Sequence, residues 1–148
     1  MIHIRKPRSS QYEVEQLLCD LPAVLYPRLV LHDHHPLAQR YGLRGVHLNS
    51  RNPNPPAGWT GAVSISCHTF QELAEVRKQS YAYMSLSPIF DSISKQGYKS
   101  AFSKDELTAA RGILSKNVFA LGGVTFERLR TVQDLGFHGA AIMGGFWK

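Results

Sequence analysis

The sequence has few cysteines, no long apolar run and no block of like charge, and each absence removes a class of protein. Two cysteines occur in 148 residues, Cys19 and Cys67, with no C-x-x-C pair between them. A disulfide scaffold and a zinc ribbon are therefore excluded, and a reducing, cytoplasmic setting is the simplest expectation. No apolar stretch approaches the roughly 20 residues that a membrane helix needs, and the N-terminus lacks the succession of a signal peptide. Lys and Arg outnumber Asp and Glu 17 to 11, a net charge of +6. They are scattered (Arg5, Lys6, Arg8, Arg40, Arg44, Arg51, Lys95, Lys99, Lys104), with no run of five or more and no basic stripe. Neither nucleic acid nor a membrane face is expected as a partner; a phosphorylated small molecule suits scattered cations better.

What is present is a core. With 43% hydrophobic residues, the chain is sized and composed for one domain spanning 1–148. Short runs rich in β-branched and aliphatic residues recur: IHIR from Ile2, RLVLHD from Arg28, GVHLN from Gly45, AVSISCH from Ala62, YMSLSPIF from Tyr83, VFALGG from Val118 and AAIMGG from Ala140. Helix signals fall between them. Thr69 with Glu72 and Ser103 with Glu106 have capping-box spacing. Apolar periodicity predicts helices between Ser9 and Leu21 and from Thr125 to Leu135, the latter stopped by Gly136, and Pro36 opens a single turn. Alternating strands and helices, with strands apolar on both faces, indicate an α/β fold with a parallel sheet. An open doubly wound sheet and a TIM (β/α)8-type barrel both fit. Short, regular units with polar residues at nearly every strand end favour the barrel, here incomplete at about seven strands.

In a barrel those strand ends form one mouth. They carry His3 and Arg5, His32 and Asp33, His47 and Asn49, Ser66 and His68, Ser87 through Lys95, Gly122 with Gly123, and Gly144 with Gly145. Glycine pairs after the last two strands fit either plain tight turns or, at the corner where many barrels bind phosphate, backbone N–H groups offered to an anion. Arg5 and Lys95 are natural cations for a second anionic group, and Ser66, Ser92 and Ser94 offer hydroxyl donors. The run HDHH, His32 to His35, invites a transition-metal reading. Alternation along a strand argues against it, because His32 and His34 cannot join Asp33 without a turn. Asp33 as one oxygen ligand for Mg²⁺, held mainly by a diphosphate, is the better use of that acid.

With these residues in view, nearly the whole chain resembles the thiamine-phosphate synthase family, which includes a thiazole tautomerase (TenI-like) branch. SPIFDSISK is similar to the family's G-P-I-F-x-T-x-T-K, with Ser92 and Ser94 at the threonines and Lys95 at the lysine. GVHLN resembles GVHLGQ, SISCHT resembles VSxHT, VFALGGV resembles VxAIGGI, GAAIMGG resembles GVAVxSA, IHIRKP resembles Q-L-R-x-K, and LVLHD resembles IxND. The resemblance implies a barrel transferase of thiamine biosynthesis that joins hydroxymethylpyrimidine diphosphate to a thiazole phosphate. It places Arg5, Ser66 and Lys95 on the diphosphate, Asp33 on Mg²⁺, and Gly123 with the Gly144–Gly145 turn on the thiazole phosphate. His68 matches the histidine proposed to shuttle a proton in the tautomerase branch.

The chain also departs from the family pattern. His3 stands for its glutamine, His32 for its asparagine, Pro7 for its lysine, and Asn52 for its second metal-binding aspartate. The last change removes a charge that Mg²⁺ would use. Against the family pattern a first strand–helix unit and a final helix are missing, so exposed edges would favour a homo-oligomer. Besides the transferase, a metal-independent tautomerase using His68, or a weakly catalytic barrel that binds a thiamine-related phosphate, fits these residues.

Overall fold

The computed structural model describes residues 1–91 and 99–144. The chain forms two compact units, Met1–Ile65 and Ser66–Lys148, with the division inside one strand. The first unit contains β1 (Ile2–Ile4), α1 (Gln11–Asp20), a 3-10 turn (Ala23–Arg28), β2 (Leu29–Leu31), α2 (Pro36–Arg40), β3 (Gly45–Leu48) and the start of β4 (Ala62–Cys67). The second contains the end of β4, then α3 (Phe70–Val76), β5 (Tyr83–Leu86), α4 (Lys104–Ala109), α5 (Arg111–Leu114), β6 (Val118–Ala120), a 3-10 turn (Phe126–Arg128), α6 (Leu129–Asp134) and β7 (Gly139–Ala140).

Strands follow chain order in each unit, β1-β2-β3-β4 in the first and β5-β6-β7 in the second, and these pairings are parallel. Among the described residues neither unit shows the reversal of order that makes the switch point of a doubly wound sheet. Every residue of β2, β3 and β5 is buried, as expected for strands covered on both faces. The seven strands fall at the seven runs read from the sequence but are shorter; the last differs most, β7 beginning at Gly139 and keeping only Ala140 of the AAIMGG run.

Helix starts follow capping chemistry. Ser103 and Glu106 form a full capping box at α4, and Ser10 with Glu13 forms another at α1, an S-x-x-E signal that marks the start of the predicted 9–21 helix. At α3 only half the expected box forms. Thr69 Oγ1 accepts from Glu72 N at 3.0 Å, but the Glu72 carboxylate accepts from the His68 amide at 2.6 Å, one residue earlier. The helix predicted over Thr125–Leu135 also differs. Thr125 makes no side-chain cap, the first turn tightens to 3-10, and α6 proper begins at Leu129. Of its apolar stripe, Val132 and Leu135 are buried, whereas Phe126 and Leu129 are exposed.

Candidate active site

In the first unit, polar side chains collect where β1, β2 and β3 end. The run HDHH sends its four side chains to different partners because His34 sits in the left-handed region at φ 55. His34 Nε2 meets the Ser9 carbonyl at 2.8 Å, and His35 is buried with Nδ1 3.4 Å from the Asn54 carbonyl. Asp33, also buried, accepts at Oδ1 from Arg51 (Nη2 at 3.0 Å, Nε at 3.3 Å) and from Asn52 Nδ2 at 3.0 Å. Its Oδ2 is buried without a partner among the described residues. The short bridge between Asn49 and Asn52 shapes the loop that delivers these groups. Asn49 Nδ2 donates to the His32 carbonyl at 2.8 Å, and Asn52 Nδ2 does so at 3.1 Å.

His32 turns the other way, toward His3 and His47. Its Nε2 lies 2.8 Å from His3 Nδ1, and its ring centroid lies 4.3 Å from that of His47. His47 in turn has Nδ1 2.8 Å from Ser64 Oγ. Burial, followed by repulsion from neighbouring imidazoles, pushes His47 down to about 2. The same cause with the charges of His3 and Arg5 pushes His32 down to about 3, and burial with the nearby terminal amine pushes His3 down to about 4. All three rings are neutral at physiological pH. Arg5, just past β1, is exposed and makes no ion pair with the described residues.

The second unit builds its polar groups differently. His68 follows β4 and is exposed, with Nδ1 3.2 Å from the Ser87 carbonyl and 3.3 Å from Ser87 Oγ. A carbonyl only accepts, so Nδ1 carries the proton and Nε2 of the neutral ring keeps its lone pair. Ser66 Oγ lies 3.5 Å from Ser85 Oγ. Past β6, Gly122 and Gly123 take φ 90 and φ 63. A Cβ on Gly122 would lie 2.8 Å from Pro88 Cα, and one on Gly123 would lie 2.4 Å from the Asp91 carbonyl oxygen. The two carbonyls are used: Gly122 O accepts from Phe90 N at 3.0 Å and Gly123 O from Arg128 Nη1 at 2.7 Å. Neither glycine N–H has an acceptor among the described residues. Buried Cys67 is pushed up to about 12 by burial and by Glu72, which leaves it an inert thiol.

Of the residues singled out in the sequence, His3, Arg5, His32, Asp33 and Asn52 thus lie at the strand ends of the first unit, and Ser66, His68, Gly122 and Gly123 at those of the second. Gly144 lies past β7 and is exposed. Ser92, Ser94, Lys95 and Gly145 fall outside the described residues. Sequence reasoning gave no role to His47, Arg51 or Ser87. His47 was visible only as one strand-end histidine among several, and the Arg51–Asp33 pair spans a loop whose shape no spacing discloses.

Parallel strands in chain order, with charged, imidazole and glycine groups past their C-terminal ends, define an α/β protein laid out like a barrel enzyme. The profile of the family described as TMP-TENI, thiamine monophosphate synthase, matches residues 1–146. The chain belongs to that family. It is 29% identical over 150 residues to a thiamine-phosphate synthase of Koribacter versatilis, covering 97% of this chain and 71% of that protein. It is 32% identical over 123 residues to one of Salinibacter ruber, covering 78% of this chain and 53% of the relative. The crystal structure of thiamine phosphate pyrophosphorylase from Bacteroides thetaiotaomicron superposes with a TM-score of 0.84 at 37% identity, over 98% of this chain and 70% of that one. The chain thus spans between about half and seven tenths of the length of these proteins. Among the described residues no helix is long and apolar enough to cross a membrane.

Proposed function

We propose that this chain is a transferase of thiamine biosynthesis that joins hydroxymethylpyrimidine diphosphate to thiazole phosphate, releasing diphosphate. The observation that carries this reading is the Asp33 carboxylate at the end of β2. One of its oxygens is fixed by Arg51 and Asn52, and the other is buried and unpartnered among the described residues. A lone carboxylate oxygen suits Mg²⁺, which usually takes one or two carboxylates and fills its remaining positions with water and phosphate oxygens. Asp33 would hold the ion, and a bound Mg²⁺ would supply neutralisation of the charge that grows on the departing diphosphate. With Asn52 in place of a second acid, the ion would take its remaining ligands from the substrate and water.

The chain's own groups account for the remaining steps. Arg5 provides a planar cation for the diphosphate; the family resemblance assigns Ser66 and Lys95 to the same group. Departure of the diphosphate leaves a cation-like methylene on the pyrimidine, which the thiazole nitrogen attacks, so catalysis depends on electrostatic stabilisation more than on a general base. The thiazole phosphate is bound by backbone N–H groups of the Gly122–Gly123 turn, whose left-handed geometry exposes donors without a side chain in the way. Gly144, Gly145, Ser92 and Ser94 are assigned to the same substrate.

One observation favours a second reading. Ser87 fixes the tautomer of His68 so that Nε2 is a base in the neutral ring. That is what proton shuttling during aromatisation of a thiazole needs, without a metal. A weak barrel that only binds the phosphate would respond to ligand without turnover.

The test combines an assay for thiamine phosphate with thermal-shift titrations of each substrate, with and without Mg²⁺. Product formation, with stabilisation by the diphosphate only when Mg²⁺ is present, is expected. Metal-independent turnover of a thiazole tautomer that is lost in His68→Ala would replace this reading with the second. Stabilisation by thiazole phosphate without product would leave the binding role, and no response to either substrate would overturn all three.

A further inference from the structure

His3, His32 and His47 come from three successive strands of the first unit. His3 lies within β1, His32 directly follows β2, and His47 lies within β3. Parallel pairing sets Leu31 against Val46, which brings residues 32 and 47 side by side at the same end of the sheet. One ring nitrogen from each histidine lies within 4.8 Å of the other two. Among the described residues this is the one group of three ligating side chains so close together. Asp33 is turned away from it, occupied at Oδ1 by Arg51 and Asn52.

We infer that His3, His32 and His47 form a binding site for a divalent first-row transition-metal ion of the zinc class, distinct from the Mg²⁺ position at Asp33. Three imidazoles suit zinc, cobalt, nickel or copper and do not suit Mg²⁺, which prefers oxygen. A tetrahedral ion with Zn–N bonds of about 2.0–2.1 Å needs nitrogens about 3.3 Å apart. The His3–His32 pair at 2.8 Å has to open slightly, and the 4.8 Å limit on the others has to close. His3, on the short first strand, is the member of the three with the largest exposed surface among the described residues.

The support behind His47 is that of a metal ligand. Ser64 Oγ donates its one proton to the Val46 carbonyl at 3.3 Å, which makes it an acceptor for His47 Nδ1–H at 2.8 Å. That bond makes Nδ1 the protonated nitrogen and Nε2 the one that carries the lone pair, the outer-shell arrangement seen behind metal-bound imidazoles. Three protein ligands would call for a fourth ligand from outside the cluster, as in catalytic zinc sites. Water or a ring nitrogen of a heteroaromatic ligand is the chemical class that would supply it.

The test is a Co²⁺ titration of the full, tag-free chain at neutral pH, followed by optical absorption. One equivalent per chain should give the visible bands of a tetrahedral nitrogen site. Zn²⁺ should bleach them stoichiometrically, and a large excess of Mg²⁺ should not. His3→Gln at its exposed position and His32→Asn should each weaken Co²⁺ binding by on the order of 100-fold or more, and Ser64→Ala by roughly 10-fold to 100-fold. His138→Gln, an exposed histidine of the second unit, should leave the titration unchanged. Absence of a stoichiometric spectrum, or a spectrum that survives both His3→Gln and His32→Asn, overturns the site. Because no substrate enters these measurements, a negative result here leaves the transferase reading standing, and a failed turnover assay leaves the metal site standing.

Discussion

The first unit assembles its polar groups from side chains and the second from backbone. At the ends of β1, β2 and β3, three imidazoles and a carboxylate are held by other side chains, Ser64, Arg51 and Asn52 among them. Past β6, the comparable element is a bare turn in which two glycines leave their N–H groups without acceptors among the described residues. The two constructions fail differently. A side-chain cluster can lose one member without a backbone clash and is tuned by burial and charge, whereas a glycine turn accepts no side chain at all.

Four measurements bear on that contrast. The largest effect should come from the scaffold under the side-chain cluster: Leu31→Ala in β2, a fully buried position, should cost about 2–5 kcal/mol, read from the urea midpoint. A loss under about 1 kcal/mol would mean that the cluster does not depend on a tightly packed strand. Next, Gly123→Ala forces a side chain into the left-handed region and against the Asp91 carbonyl. It should destabilise by at least about 2 kcal/mol and abolish stabilisation by thiazole phosphate, and retention of both would refute the bare-turn account.

Acid should reveal the first unit's cluster. His47 has its folded value depressed to about 2 from an ordinary 6.5, so between those limits the unfolded chain binds a proton that the folded chain refuses. Stability should therefore fall as pH drops below 6.5, by on the order of 2 kcal/mol for His47 alone over the first two units. A denaturant midpoint independent of pH across that range, measured without added metal, would show that the imidazoles are not desolvated. Asn52→Asp removes the amide donor to Asp33 Oδ1 and to the His32 carbonyl and sets a second carboxylate beside a buried one, so without Mg²⁺ it should destabilise by about 1–2 kcal/mol. Its signature is functional: the diphosphate should stabilise the variant at lower Mg²⁺ than the parent, and an unchanged Mg²⁺ requirement would remove Asp33 from the metal's ligands.

The strands and the capped helices were legible in the sequence because they rest on local physics: doubly apolar runs, S-x-x-E spacing, and Gly136 as a stop. The 3-10 start before α6 was not, since periodicity over Phe126, Leu129, Val132 and Leu135 reports a helical face without reporting which part of it meets a core. Gly122 and Gly123 announced a turn directly. Their close approach to Pro88 and Asp91 required the fold, because 31 or more residues separate those partners in the chain. Asp33 was recognisable as an acid at a strand end, but its pairing with Arg51 depended on the loop closed by Asn49 and Asn52. The histidine cluster was least visible. Its members are 29 and 15 residues apart, and only the strand register makes them neighbours.

The backbone at His34 has a consequence beyond its own bond to Ser9. A positive φ is a conformation that histidine, asparagine and glycine enter readily and that valine or isoleucine resists. Set there, the chain acts as a sorting gate, delivering His32 to one neighbourhood, Asp33 to a second and His35 to a third. A β-branched residue at position 34 would misaddress all three without altering any of them, so the selective pressure on two chemically unrelated sites converges on one torsion angle of a residue that belongs to neither.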